Sequence, residues 1–336
     1  MTPDQPCAAQ PLLSVRGLKV SFASRAGPVR AVRDVGFAVA RGEIFAMIGE
    51  SGSGKSTVAQ ALMGLLPESA TVEGDMRLEE LDLAALSKRD RRRLSGERMA
   101  LISQDSLSGL NPCTTVGYQI AETLIVHRGS SKAAAMAEAV RLLDLTGIPA
   151  ARERVKHYPH EFSGGMRQRA LIAMALALQP DLLIADEPTT ALDATIKAQI
   201  LQLLLQLRAE FGMSIVIITH DMGVVARMAQ RMLVMYAGQG VEAGEVGDVF
   251  EWPAHPYTRS LLAAIPRLDV RADALAVIPG QPPLPSALPA GCPFHPRCVR
   301  AEERCSREPP APLFLAGQRI SLCHFLPEAR GVGVPA

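Results

Sequence analysis

The chain reads Gly49-Glu50-Ser51-Gly52-Ser53-Gly54-Lys55-Ser56-Thr57 between the apolar run Ile44 to Ile48 and a segment of helix formers that ends before Pro67. A phosphate-binding loop requires this order of strand, loop and helix, because glycine lets backbone N–H groups face phosphate oxygens at a helix N-terminus. Lys55 would reach the β and γ phosphates of a nucleotide, and the Ser56 hydroxyl would bind Mg²⁺. The residues expected to contact nucleotide here are Gly49, Ser51, Gly52, Gly54, Lys55, Ser56 and Thr57.

Two acidic residues follow another apolar run later in the chain. Residues 182–185 are all aliphatic, and they lead directly into Asp186 and Glu187. Asp186 is expected to hold magnesium through its water shell. Glu187 follows where the strand delivers it beside the γ-phosphate, so we expect it to act as the general base for an attacking water.

A third motif lies between these two. Ser163-Gly164-Gly165-Met166 begins a predicted helix that extends to Leu178. The free N–H groups at such a helix start form a second anion site. In this order, the three motifs resemble those of one superfamily, the ATP-binding subunits of ABC transporters, and the resemblance extends from Leu12 to about Phe325.

The resemblance implies a head-to-tail dimer. ATP would lie between Lys55 of one subunit and the helix start at Ser163, Gly164 and Gly165 of the other, and its binding would close the dimer. Four more positions match family motifs: Phe22, which would stack on adenine; Gln104, which would sense magnesium and water; Asp193, in the loop that crosses the interface; and His220, which would contact the γ-phosphate.

The pattern of apolar residues predicts an α/β fold. Residues 12–40 alternate as antiparallel strands do, whereas strands and helices alternate after residue 163, which predicts a mainly parallel sheet covered on both faces. Between these parts, residues of about 105–165 are predicted to form a helical insert. We expect a P-loop ABC cassette over 12–255 and a small, irregular, cysteine-containing C-terminal module over 256–330.

Composition restricts the partners. The 336 residues include 35 basic and 34 acidic ones, a formal charge of +1, which gives no sequence-wide reason to expect nucleic acid. The basic run Lys88 to Arg93 is predicted to be a solvated helix face. No apolar run approaches the roughly 18 residues of a membrane span, and no secretory signal precedes residue 12. We expect a peripheral protein on the cytoplasmic face of the inner membrane.

The C-terminal region contains four cysteines in a proline-rich stretch. We expect these cysteines to lie in reducing cytoplasm, where a bound metal cross-links a small region more often than disulfides do. They are Cys292, Cys298, Cys305 and Cys323. The spacing lacks paired C-x-x-C knuckles, which favours a 4Fe-4S cluster and leaves zinc or no metal as alternatives. His295 and His324 are further candidate ligands. Cys7 and Cys113 are expected to be ordinary thiols.

The same region suggests the cargo. Residues 255–262, the stretch Gly280-Gln281-Pro282-Pro283 and the four cysteines resemble the C-terminal part of dipeptide and oligopeptide permease ATPases. That resemblance implies two transmembrane permease subunits, a second and non-identical ABC ATPase, and an extracytoplasmic peptide-binding protein. Two alternatives stay open: an importer ATPase for another solute such as nickel or glutathione, and a non-transport ABC ATPase that acts on nucleic acid.

Overall fold

The computed structural model describes residues 10–25, 27–104, 109–190, 192–265 and 278–325. The strands in these ranges are β1 Leu13–Phe22, β2 Val29–Val39, β3 Ile44–Ile48, β4 Ala70–Leu78, β5 Leu81–Asp82, β6 Met99–Ile102, β7 Leu182–Asp186, β8 Ser214–Thr219, β9 Arg231–Tyr236, β10 Gln239–Glu245, β11 Leu313–Phe314 and β12 Ile320–Ser321.

The α-helices in the same ranges are α1 Lys55–Met63, α2 Lys88–Glu97, α3 Val116–Arg128, α4 Lys132–Leu145, α5 Ala151–Arg154, α6 Gly164–Leu176, α7 Ala194–Phe211, α8 Met222–Met228, α9 Val246–Glu251, α10 Pro256–Ala263 and α11 Glu303–Arg307. Short 3₁₀ helices cover Pro159–Glu161, His295–Arg297 and Ala316–Gln318. None of the helices described here combines the length and the apolar character that a membrane crossing requires.

One mixed sheet organises the chain, with strand order β5-β4-β1-β2-β10-β9-β3-β8-β7-β6. The half from β9 to β6 is parallel, whereas β2, β1, β4 and β5 pair antiparallel. This arrangement confirms the predicted α/β cassette with antiparallel N-terminal strands. The apolar run Ile44 to Ile48 forms β3, the strand that a phosphate-binding loop requires.

Burial explains why the central strands are parallel. Every residue of β3, β7 and β8 is buried, as expected for strands covered on both faces. One apolar cluster packs α3, α4, α6 and α7 against one side of the sheet. A second cluster fills the space between β1, β2 and α1. The parallel strands therefore lie between two cores, and their carboxyl ends meet at one edge.

The helical insert is built from α3, α4 and α5, which precede α6. Thr115 and Ser131 cap α3 and α4 with side-chain oxygens that accept backbone N–H groups, the usual way to satisfy free donors at a helix start. Residues 105–108, the predicted beginning of the insert, lie outside the described residues.

The C-terminal region is joined to the cassette. β12 pairs antiparallel with β10, so the main sheet includes a strand from the end of the chain. Tyr257 and Phe294 belong to the same apolar core as the cassette helices. We expected an irregular module over 256–330, but the described part of that span contains two α-helices, two 3₁₀ helices and two short strands, and β12 attaches it to the cassette sheet.

The basic run forms α2, and one of its members differs from the prediction. Lys88, Arg89, Arg92 and Arg93 are exposed as expected, whereas Arg91 is half-buried. Its guanidinium donates to the carbonyl oxygens of Ala61 at 2.5 Å, Leu62 at 3.0 Å and Leu83 at 2.6 Å. Arg91 therefore adds a charged donor to two carbonyl groups in the last turn of α1 and links them to the segment that follows β5.

Replacing Arg91 with methionine should lower the free energy of unfolding by about 1–3 kcal/mol, because three carbonyl groups lose a charged donor. Urea denaturation of the full-length protein measures the effect. The matched control is Arg92→Met, an exposed neighbour on the same helix, for which we expect a change within about 0.5 kcal/mol. Equal effects of the two substitutions would contradict this role of Arg91.

Candidate functional site

The phosphate loop is held in place by very close backbone contacts. A Cβ atom on Gly49 would lie 2.2 Å from the carbonyl oxygen of Met235 in β9, and one on Gly54 would lie 2.6 Å from that of Ala31 in β2. Gly54 also has a φ of 100°, a left-handed conformation that favours glycine, and it directly precedes α1. The loop is therefore fixed between two strands, with the N-terminus of α1 open toward a ligand.

Lys55 is buried at the first position of α1. Its Nζ donates to the carbonyl oxygens of Gly49 at 2.7 Å and Glu50 at 2.9 Å, and it lies 3.3 Å from Ser53 Oγ. Burial lowers the pKa of Lys55, while the charges of Glu187, Asp186 and Glu50 oppose that shift. The ammonium group is thus held inside the loop, where a phosphate group would meet it.

The other loop residues surround this position. Ser51 and Gly52 are exposed at the crest of the loop, whereas Ser56 and Thr57 are half-buried in the first turn of α1.

Asp186 and Ser56 form a candidate magnesium site. Asp186 ends β7 and is buried, and burial raises its pKa while a hydrogen bond with Ser56 opposes the rise. Its Oδ1 is buried without a hydrogen-bond partner. A free, buried carboxylate oxygen beside a hydroxyl suits Mg²⁺, which usually binds one or two carboxylates and completes its shell with water and phosphate oxygens. The residues present therefore fit the ion.

Glu187 is contacted by two of the other predicted residues. Gln104 Nε2 donates to Glu187 Oε2 at 3.2 Å, and His220 Nδ1 lies 3.2 Å from Oε1. Gln104, Glu187 and His220 follow β6, β7 and β8, which are parallel neighbours. Because parallel strands end at one edge, the sheet brings together three residues that are far apart in the sequence.

Thr190 is a further contact of Glu187 that no sequence pattern indicated. Its Oγ1 donates to Glu187 Oε2 at 2.8 Å. Burial alone would raise the pKa of Glu187, but hydrogen bonds from Thr190 and His220 outweigh it and hold that pKa below its ordinary value. Glu187 is therefore ionised at neutral pH, as a general base must be.

The Ser163 motif begins α6, as predicted. Ser163 caps the helix, since its Oγ accepts from the backbone N–H of Met166 at 3.4 Å. Ser163 and Gly164 are exposed, and a Cβ on Gly165 would lie 2.8 Å from Ile196 Cγ2. The helix start is thus available to another molecule.

Two further predicted residues lie at the ends of elements. Asp193 caps α7, with Oδ1 accepting from Thr195 at 3.0 Å and Ile196 at 2.9 Å, while its neighbour Ala191 lies outside the described residues. Phe22 is the last residue of β1, half-buried and packed against the second core. A half-buried ring at a strand end has one face against the core and part of its surface free.

The four C-terminal cysteines line one small cavity of about 20 Å³. All four are free thiols, and burial raises the pKa of Cys292 to about 11. Among the described residues, however, no group of three or more His, Cys, Asp or Glu side chains could hold a metal ion as placed. The expected iron–sulfur cluster is therefore not supported by this arrangement.

The two candidate histidine ligands differ in how many of their ring nitrogens have a partner. His324 contacts Arg304 Nη2 at 2.7 Å through one ring nitrogen and the carbonyl oxygen of Glu308 at 2.9 Å through the other. His295 Nδ1 lies 2.9 Å from the carbonyl oxygen of Cys292. Both lie at the cavity, but His324 has no ring nitrogen left for a metal.

Comparison with known proteins gives two family matches. A model described as "ABC transporter" matches residues 32–190, and one described as "Oligopeptide/dipeptide transporter, C-terminal region" matches residues 241–305. The matches together include the phosphate loop, Ser163, Asp186 and Glu187, and three of the four C-terminal cysteines.

Curated relatives match over nearly the whole length. The oligopeptide transport ATP-binding protein OppD of Salmonella typhimurium is 49% identical over 95% of this chain and 95% of its own. The dipeptide transport ATP-binding protein DppD of Escherichia coli is 46% identical over 94% of this chain and 96% of its own. Among solved structures, the dimeric post-hydrolysis cassette MJ0796 bound to ADP and Pi is similar, with a TM-score of 0.63 and 27% identity over 70% of this chain and 98% of that one.

Removing the Thr190 hydroxyl should change the pH dependence of ATP hydrolysis. In Thr190→Val the carboxylate loses a donor that stabilises its charged form, so the pKa of Glu187 rises. The acidic limb of the kcat–pH profile should then move to higher pH. Thr190→Ser keeps the donor and serves as the control. An unchanged profile in Thr190→Val would show that this contact does not tune the base.

Proposed function

This chain belongs to the ATP-binding subunits of ABC transporters, in the branch of the oligopeptide and dipeptide transporters, and we propose that it hydrolyses ATP to power import of di- and oligopeptides through a membrane permease. The observation that carries the proposal is 49% identity over 95% of both chains with an oligopeptide transport ATP-binding protein. The match of residues 241–305 to the oligopeptide/dipeptide C-terminal region favours peptides over nickel or glutathione.

The arrangement of side chains supports ATP hydrolysis. Lys55 and the N-terminus of α1 would bind the β and γ phosphates. Ser56 and Asp186 would hold Mg²⁺, which neutralises phosphate charge when bound. Glu187, ionised and 13% exposed, accepts the proton of the attacking water. Gln104 and His220, both in contact with Glu187, orient the base and the water.

A dimer completes the site. Ser163 and Gly164 are exposed at the start of α6, where free N–H groups offer a second binding surface for the γ-phosphate of a partner's ATP. ATP that binds both halves only when they are closed biases the pair toward closure. A shift from nearly all open to nearly all closed takes about 5.5 kcal/mol, which several charge-assisted phosphate contacts supply.

The remaining partners follow from the transporter family. Two transmembrane permease subunits receive the motion through the helical insert and form the pathway. A second, non-identical ABC ATPase supplies the other half of the dimer, and an extracytoplasmic binding protein delivers the peptide. The subunit described here is peripheral and works at the cytoplasmic face of the membrane.

Replacing the base tests both the enzyme and the cargo. In Glu187→Gln, ATP binding should be retained while ATP turnover falls by about 10²–10⁴, because the amide cannot accept a proton. In vesicles that contain the complete transporter, uptake of radiolabelled dipeptides and oligopeptides should fall with it. Wild-type turnover in the variant would refute the assignment of Glu187, and uptake of nickel or glutathione but not peptide would refute the cargo.

We further propose that Cys292, Cys298, Cys305 and Cys323, which line one cavity, are the ligands of a 4Fe-4S cluster. Support comes from four free thiols at one cavity and from the chemistry of thiolate ligands. Protein purified without oxygen should be brown and contain iron and sulfide, and Cys298→Ser should lose both. The exposed Cys113, replaced in the same way, is the control. A colourless sample without iron would overturn the assignment of a cluster. Stoichiometric zinc in such a sample would identify the four cysteines as a zinc site instead.

A further inference from the structure

Arg297, a residue of the C-terminal region, forms an ion pair with Glu50 of the phosphate loop. Arg297 forms a two-pronged ion pair with Glu50, with Nη1–Oε2 at 2.7 Å and Nη2–Oε1 at 3.0 Å. The Arg297 side chain is 4% exposed and that of Glu50 26% exposed. A bidentate pair of this kind, shielded from water, fixes both position and orientation.

The partners of Arg297 leave it little freedom. Its Nε donates to the carbonyl oxygen of Pro279 at 2.8 Å, and Nη1 lies 3.4 Å from the hydroxyl of Tyr236. Arg297 ends the 3₁₀ helix that lies between Cys292 and Cys298. The backbone N–H of Cys292 donates to the carbonyl oxygen of Cys305 at 2.8 Å. The cysteine-lined loop therefore places the guanidinium.

A second contact from the same region reaches the same residue. The backbone N–H of Glu50 donates to the hydroxyl oxygen of Tyr257 at 2.9 Å. Tyr257 packs against Tyr236 and Phe294, with ring centroids 4.6 Å and 5.3 Å away. Both the backbone and the side chain of Glu50 are thus held from beyond the cassette.

The position of Glu50 makes this contact relevant to nucleotide. Glu50 follows Gly49, and its carbonyl oxygen accepts from Lys55 Nζ at 2.9 Å. The negative charge of the Glu50 carboxylate also acts on Lys55, whose pKa it raises against the effect of burial. If it were unpaired, this carboxylate would compete for the lysine's charge and would repel a triphosphate. The ion pair with Arg297 balances that charge.

We propose that Arg297 and Tyr257 are positioning residues for ATP, which neutralise and orient Glu50 so that the phosphate loop accepts the triphosphate. The C-terminal region then has a function in nucleotide binding that does not depend on what the four cysteines hold. The inference rests on the proposed ATPase function and deepens it, because it assigns part of the ATP site to residues beyond the cassette.

Equilibrium binding of Mg-ATP to the full-length chain tests the proposal. Arg297→Gln should weaken binding on the order of tenfold, because it leaves the Glu50 carboxylate unpaired beside the phosphates. The double variant Glu50→Gln/Arg297→Gln removes that charge and should regain most of the affinity. Tyr257→Phe, which keeps the packed ring and loses only the hydroxyl, should weaken binding by a smaller factor. In the reconstituted transporter the KM for ATP should rise in Arg297→Gln while kcat stays near the wild-type value.

The control is Arg307→Gln, which removes an exposed ion pair with Glu303 in the same region and should leave ATP affinity unchanged. If the thermal midpoint shows that Arg297→Gln does not fold, Arg297→Lys serves instead. Lysine keeps the positive charge but cannot form the bidentate pair with Glu50, so this variant should bind ATP with intermediate affinity. Unchanged affinity in Arg297→Gln or Arg297→Lys would overturn the proposal, as would a double variant no better than Arg297→Gln. These measurements need no peptide, so their failure is distinct from failure of the import function.

Discussion

The close approach between the phosphate loop and two neighbouring strands is the constraint on which the nucleotide site depends. Gly49 and Gly54 lie so near the carbonyl oxygens of Met235 and Ala31 that no side chain fits between them. Because β3 and β9 are parallel and directly paired, their register determines where the loop after β3 meets the carboxyl end of β9. The direction of α1, and with it the position of Lys55, follows from that contact.

Competing effects set the charge on the two carboxylates at the end of β7. Burial disfavours ionisation of both Asp186 and Glu187, yet their pKa values move in opposite directions. Glu187 receives hydrogen bonds from Thr190 and His220 that outweigh burial, whereas Asp186 keeps one oxygen without a donor. One residue is thus prepared to accept a proton, and its neighbour is left with free capacity for a cation.

The sequence predicted the parts of this site that follow from strand order. Glu187 was predicted from its place directly after an apolar run, whereas Gln104 and His220 were predicted from their match to family motifs. All three follow parallel strands, which brings them together. Contacts made by irregular segments could not be predicted in this way. Nothing in the spacing of Arg297 and Glu50, 247 residues apart, indicates a partnership, because it depends on the path of a proline-rich loop without periodicity. The contacts of Arg91 were not predicted for a different reason, because a run of basic residues on one helix does not show which of them is half-buried.

The distance in sequence between Glu50 and Arg297 also has a consequence for synthesis. The ribosome releases the cassette before the C-terminal region, and domains generally begin to fold as they emerge. A nascent chain that already contains the whole cassette still lacks the guanidinium that pairs with Glu50 and the strand β12 that joins β10. The nucleotide site therefore takes the form described here only after residue 297 and residues 320–321 have been synthesised, later than the cassette itself.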